Sequence, residues 1–221
     1  MVTRKRKKYS LEKERSFFDQ AKSDRTAVPY EYLTKYIDGS VGRDFFSGKR
    51  VLNLGSGEGV YSAWIADIGG AKEVVGVELT GHRIRREYER QLSNLTFIEG
   101  DFFHLFEYGV NRKEFDIIFM NLVLHHLRYN LEDIVGIIKD GLAEGGIFVA
   151  FEPNIYSPIS LLAHLRSNKS PNEGFLSPHR IRKAFSSVGF RNTRFGYFWR
   201  DRKWARNPFL ASTFWFSARV E

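Results

Sequence analysis

Between residues 50 and 152, five short apolar runs are separated mainly by stretches of helical spacing. The runs fall at 50–54, 73–79, 95–99, 115–120 and 147–152. Amphipathic helices are expected at 60–68, 81–92 and 131–142. Strands joined by helical crossovers cannot be antiparallel neighbours, so this alternation calls for a parallel sheet covered on both faces. The fold class expected is α/β. A length of 221 residues suits one such domain with a full core.

The flanks carry a different pattern. Residues 16–37 suggest two helical pieces broken at Pro29, followed by a loop over 39–48. Residues 153–177 are loop-rich, with an apolar helical turn bearing Ile155, Tyr156, Ile159, Leu161, Leu162 and Leu165. Ser177 and Pro178 mark a helix start, and Gly189 its end. Two alternating runs, 191–197 and 213–220, are expected to pair as an antiparallel hairpin at the sheet edge. The organisation expected is a basic flexible tail over 1–15 and a single domain over 16–221. Within that domain, 153–177 is read as an insertion over an acceptor pocket.

A net charge of +8 sits mostly in two places. Residues 1–15 hold seven Lys or Arg against two Glu, and residues 180–206 hold nine against one Asp. The rest of the chain is mildly acidic, so the charge reads as a solvated tail plus a basic surface. Tyr197, Phe198, Trp199 and Trp204 interleave with arginines in the second segment, a mixture that also suits single-stranded nucleic acid. Without a cysteine, disulfide frameworks, thiolate metal sites and cysteine nucleophiles are excluded. No apolar run approaches the length of a membrane span, and a cytoplasmic location is expected. The six histidines are scattered and no carboxylate cluster has ligand spacing, so no metal site is expected.

The first apolar run, Val51-Leu52-Asn53-Leu54, leads into Gly55-Ser56-Gly57-Glu58-Gly59 and then a helix. Glycines permit a tight turn and close ligand approach, and a helix N-terminus offers free N–H groups. The dinucleotide fingerprint G-x-G-x-x-G/A is not met, because the third glycine comes one position early. Glu78, near the end of the second run, can accept both hydroxyls of a ribose. Asp101 and Phe102, after the third run, can meet an adenine amine and cover its ring. The fourth run ends at Asn121 and leads into Leu122-Val123-Leu124-His125-His126-Leu127; the fifth ends at Glu152-Pro153.

In this order the motifs resemble class I S-adenosylmethionine-dependent methyltransferases, notably the small-molecule, quinone-biosynthesis-like branch, over residues 45–155. The resemblance implies a Rossmann-like seven-stranded sheet of order 3-2-1-4-5-7-6, with the last strand antiparallel and helices on both faces. It implies S-adenosylmethionine as cofactor, held by Asn53, Gly55, Ser56, Gly57, Gly59, Glu78, Leu79, Asp101, Phe102 and Asn121. One departure stands out: the family usually has an acidic residue where this chain has Asn53.

Methyl transfer from a sulfonium needs chiefly an aligned acceptor, and a hydroxyl acceptor also needs a base. His125 is the expected base, with Glu152 at the end of the fifth run orienting the acceptor. His126 is read as the structural member of the pair. No Pro-Pro-aromatic follows Asn121, which speaks against methylation of exocyclic base amines. The expected substrate is a small-molecule or glycan-type acceptor, acidic or partly apolar, methylated at oxygen. The alternatives are an RNA- or protein-modifying enzyme docking through its basic segments, and a cofactor-binding relative without turnover.

Overall fold

The computed structural model describes residues 9–20, 30–166, 170–198, 209 and 211–220. The strands are β1 (Arg50–Leu54), β2 (Glu73–Glu78), β3 (Leu95–Glu99), β4 (Phe115–Asn121), β5 (Leu142–Pro153), β6 (Phe190–Phe198) and β7 (Thr213–Val220). They form one sheet of order β3-β2-β1-β4-β5-β7-β6. The β3–β2–β1–β4–β5 pairings are parallel, whereas β7 runs antiparallel to both β5 and β6. The seven-stranded Rossmann-like arrangement expected from the motifs is therefore the fold observed.

The helices are α1 (Leu11–Gln20), α2 (Tyr30–Ser40), α3 (Val60–Ala66), α4 (Glu87–Gln91), α5 (Leu131–Gly141), α6 (Pro158–Arg166) and α7 (Pro178–Ser187). Successive side chains of a strand point to opposite faces, and the central strands divide their apolar residues accordingly. Leu52 and Leu54 of β1, with Ile118 and Met120 of β4, pack with α5 and α7. Val51, Ile117 and Phe119 pack on the other face with Leu33 and Ile37 of α2 and Trp64 of α3. Burial on both faces explains why these strands read as continuous apolar runs. β6, at the edge, is buried only at its two ends and partly or fully exposed between them.

Several boundaries differ from the sequence expectation. The helix expected over 81–92 is a 3-10 turn (Gly81–Arg83) and a separate α4. Ile84 adopts an extended conformation between them and is buried, and the Arg85 N–H donates to the Glu58 carbonyl at 3.3 Å. Tertiary contacts with the glycine loop thus outweigh local helical periodicity. β5 begins at Leu142 rather than Ile147, with a register irregularity before Ile147 and a positive φ of 69° at Gly145. The start of the chain departs most. α1 begins at Leu11, within the segment expected as tail, and its Glu14 is buried at 3% exposure. Arg4–Lys8 and the aromatic-basic stretch 199–208 lie outside the described residues.

The order of the sheet reverses between β1 and β4, whose connections leave in opposite directions. In open α/β sheets the crevice beyond the carboxyl ends at such a point is where ligands bind.

Candidate active site

A cavity of about 300 Å³ opens at that point. Its floor comes from the strand ends: Asn53, Gly55, Ser56 and Gly57 after β1, Glu78 and Leu79 after β2, Phe102 after β3, and Asn121 to Val123 after β4. Its roof comes from the start of the chain, through Tyr9, Glu14 and Phe18, with Tyr61, Arg83, His126 and Leu127 completing the wall.

The glycine loop is shaped by three positive φ angles, at Gly55 (72°), Gly57 (57°) and Gly59 (85°). Their surroundings differ. A Cβ on Gly55 would stand 2.6 Å from Val123, and one on Gly59 would stand 2.4 Å from the Phe97 ring. A Cβ on Gly57 would meet only Arg83, at 4.0 Å, so this glycine faces open space in the cavity. Gly59 does not line the cavity. It lets α3 approach β3, and its left-handed conformation starts the helix.

Glu78 is buried and fastens the loop: one carboxylate oxygen accepts the Gly57 N–H at 2.7 Å. The other makes long contacts with the Thr80 N–H (3.4 Å) and hydroxyl (3.3 Å). A carboxylate has about four acceptor positions, so capacity remains for a ligand. Asn53 donates through Nδ2 to the Ser62 hydroxyl at 2.8 Å. Its Oδ1 and the Ser56 Oγ are buried without partners, and both residues line the cavity. Buried acceptors without donors are costly; here they mark where a ligand's donor groups belong. The asparagine that departs from the usual acidic residue therefore keeps a free acceptor at the site.

Asp101 is placed differently from expectation. It does not line the cavity: its side chain accepts the Phe103 N–H at 3.0 Å and caps the 3-10 segment Phe102–Tyr108. Tyr9 sits nearby, its ring 5.4 Å from that of Phe103. Burial, and then the charges of Asp101 and Glu14, push the Tyr9 phenol above its ordinary pKa.

His125 and Glu152 come together, but away from the cavity. The Glu152 carboxylate, 1% exposed, accepts the N–H groups of Val123 (3.0 Å), Leu124 (2.8 Å) and His125 (3.3 Å). It also lies 2.7 Å from His125 Nδ1. A carboxylate there satisfies the free N–H groups of the 3-10 turn Leu124–His126. Burial alone would lower the His125 pKa, but the Glu152 charge and hydrogen bond outweigh it and raise the value above the usual 6.5. This pair shapes the turn, and neither residue lines the cavity.

The ring that lines the cavity is the other one. His126 stands 4.2 Å from the His125 ring and 5.5 Å from Phe18, and Arg83 lies over the Phe18 ring at 4.9 Å. Its Nδ1 lies 2.8 Å from the Glu14 carboxylate. No sequence signal marked Glu14, Phe18 or Tyr9, because Tyr9 precedes α1 and the other two lie on it, and all three reach the site only by folding back from a segment far from every motif. Among its described residues, the 153–177 segment supplies no lining residue. Leu161, Leu162 and Leu165 of α6 are 43–64% exposed, and the segment acts at the site through Ser170 and Asn172, which grip Glu14.

Among known protein families, one described as a methyltransferase domain matches residues 45–193. The chain belongs to that family. No curated protein matches in sequence. Among solved structures, an S-adenosylmethionine-dependent methyltransferase from Archaeoglobus fulgidus aligns with a TM-score of 0.68 at 15% identity, covering 86% of this chain and 94% of that one. A possible histamine N-methyltransferase from Thermotoga maritima aligns at 0.64 and 14%, covering 87% and 90%. Phosphoethanolamine N-methyltransferase 2 from Haemonchus contortus, in complex with S-adenosylmethionine, aligns at 0.63 and 16%, covering 94% and 60%. These likenesses are of fold, and with the family they make this protein a class I methyltransferase whose cofactor is S-adenosylmethionine. The free acceptors of Asn53 and Ser56, the open face of Gly57 and the buried carboxylate of Glu78 fit that cofactor. Among the described residues no helix is long and apolar enough to cross a membrane.

Proposed function

We propose that this methyltransferase acts on a small hydroxyl-bearing acceptor, with His126 receiving the proton. The observation that carries the reading is the roofed cavity itself, into which only one ring of the histidine pair opens. Asn53, Ser56, Gly57 and Glu78 would hold the methionine and ribose parts of the cofactor, and Phe102 would cover the adenine. When bound, S-adenosylmethionine supplies an electrophilic methyl group on a sulfonium that leaves as neutral S-adenosylhomocysteine. The chain aligns the acceptor oxygen and takes its proton onto the His126 ring, so that the oxygen attacks as its O–H bond breaks.

Arg83 gives the site a preference. It lines the cavity and has no ion-pair partner among the described residues, its visible contact being the Phe18 ring. An unpaired guanidinium in a partly enclosed site favours a carboxylate or phosphate. A small acidic hydroxyl compound satisfies both features. A roof formed by the chain itself suits a small molecule better than an RNA or protein, and a chain without cysteines suits a cytoplasmic reaction. An amine acceptor is the second reading, favoured by the buried Glu14 carboxylate on the cavity wall.

The test is transfer of tritium from methyl-labelled S-adenosylmethionine into pooled small hydroxy acids, phosphorylated alcohols, amines and total RNA. Label is expected in a hydroxyl compound, with His126→Asn lowering the rate about a hundredfold. Label confined to amines or to RNA would overturn the reading.

A further inference from the structure

The contact between Glu14 and His126 has no explanation in packing. Glu14 is a carboxylate at 3% exposure on a helix of otherwise half-exposed or exposed residues. An apolar residue would dock such a helix at less cost, since a buried charge must be matched by dedicated partners. The partners are present. One carboxylate oxygen of Glu14 accepts from the Ser170 hydroxyl and, at 2.7 Å, from Asn172 Nδ2. Asn172 also brackets Ser10, accepting its N–H at 3.2 Å and donating to its carbonyl at 3.0 Å. The other Glu14 oxygen is left for His126.

The same loop registers both partners. Two residues beyond Asn172, the Gly174 N–H donates to the His125 carbonyl at 3.1 Å. Residues 170–174 therefore hold α1 on one side and the histidine turn on the other, and so set the distance from Glu14 to His126. Burial works against the Glu14 charge, but the neighbouring His126 ring and hydrogen bonds from Ser170 and Asn172 outweigh it and hold the carboxyl below its ordinary 4.5. The other charged groups around the ring are His125 with Glu152 behind it, Glu173 beyond, Tyr9 beside Glu14, and Arg83 across Phe18.

We infer that Glu14 is a positioning residue for methyl transfer, carried into the site by α1 and aimed by Ser170 and Asn172. Its carboxylate keeps the His126 proton on Nδ1, so that Nε2 presents the lone pair that receives the acceptor's proton. The contact is close in distance but poorly aligned, since neither atom completes a well-directed hydrogen bond. Contacts of this kind tighten when ligand is bound. The inference rests on the reading of His126 as proton acceptor. It adds that the catalytic ring is set by the start of the chain, outside the 45–193 stretch shared with the family.

The experiment uses the full chain and has a readout that needs no acceptor. Nitrogen-15 spectra of the His126 ring, with S-adenosylhomocysteine bound, report which nitrogen carries the proton. The wild type is expected to show the Nδ1–H tautomer. Glu14→Gln and Asn172→Ala are expected to show mixed tautomers while binding S-adenosylhomocysteine within about threefold of wild type. With the acceptor found by tritium transfer, kcat is expected to fall about tenfold to a hundredfold in Glu14→Gln and less in Asn172→Ala. An unchanged tautomer in both variants, or wild-type kcat in Glu14→Gln while His126→Asn is inactive, overturns the role of Glu14 alone. Wild-type kcat in His126→Asn overturns the proton-acceptor reading and this inference with it. Asn172→Ala leaves the Glu14 charge in place, which keeps the test decisive should Glu14→Gln dock α1 poorly.

Discussion

The floor and the roof of the cavity are joined across very different spans of chain. On the floor, Asn53 meets Ser62 nine positions away, and Glu78 meets Gly57 across twenty-one. In the roof, Glu14 meets Ser170 and Asn172 across 156 and 158. The floor stands on strand ends whose places are fixed by the sheet, and any chain with that strand order will assemble it. The roof depends on two segments that share no secondary structure and meet through a few buried polar contacts. Segments of that kind sit toward the low end of local stability, where parts that open and close are found. On that ground the floor is expected to be the more stable part of the cavity and the roof the less stable one.

The strongest way to break this contrast is Glu152→Ala, which attacks the base on which the histidine turn stands. Three backbone N–H groups and a partly buried histidine lose their shared acceptor. Removing one member of such a buried pair costs about 3–5 kcal/mol, readable as a shift in the urea midpoint at constant slope. A loss under about 1 kcal/mol would mean that the turn is held by something else.

Glu78→Ala is the next largest, and it tests the floor. The loop loses its fastening to Gly57, and the ligand loses a charged acceptor. S-adenosylhomocysteine binding is expected to weaken by roughly 2–3 kcal/mol, about thirty- to a hundredfold in Kd by calorimetry. α1 should keep its amide protection. Undiminished affinity would remove Glu78 from the cofactor site.

The smallest effect is a titration, and it sharpens the contrast from the side of the roof. Glu14 has a folded pKa below its ordinary 4.5. Its contribution to stability is therefore present above pH 4.5 and is lost as pH falls through the folded value. Hydrogen exchange should show α1 opening at acid pH before β1 or β4 loses protection. His125 has the opposite sign. With the His125 pKa raised above 6.5, its contribution is full below pH 6.5 and fades as pH rises through the raised value. Simultaneous release of α1 and the central strands would mean that the roof and floor form one cooperative unit.

What could be read from the sequence follows the same division. Strand positions, the glycine loop, Glu78 and Asn121 were legible because each depends on local periodicity or on a motif tied to a strand end. Asn53, Gly55, Ser56, Gly57, Leu79 and Phe102 line the cavity as well. Gly59 and Asp101, also expected at the cofactor, do not line the cavity: one packs against Phe97 and the other caps a 3-10 segment. Their residue types serve backbone geometry as readily as ligand contact, and spacing cannot separate the two uses.

The histidine pair shows the limit most clearly. Adjacent residues on one turn cannot both face the same cavity, and the sequence contains no term that chooses between them. The choice follows from Glu152, buried at the end of β5, which draws His125 inward and leaves His126 to the cavity. By itself, then, the sequence determined the alternation of strands and helices and the glycine loop, because periodicity and glycine geometry act over a few residues, while the order of the sheet was legible only through the resemblance of its motifs to a family. Only the tertiary structure decided which histidine lines the cavity and what roofs it, because those outcomes rest on buried polar contacts between residues 27 positions apart, for His125 and Glu152, and more than 150 apart, for Glu14 with Ser170 and Asn172.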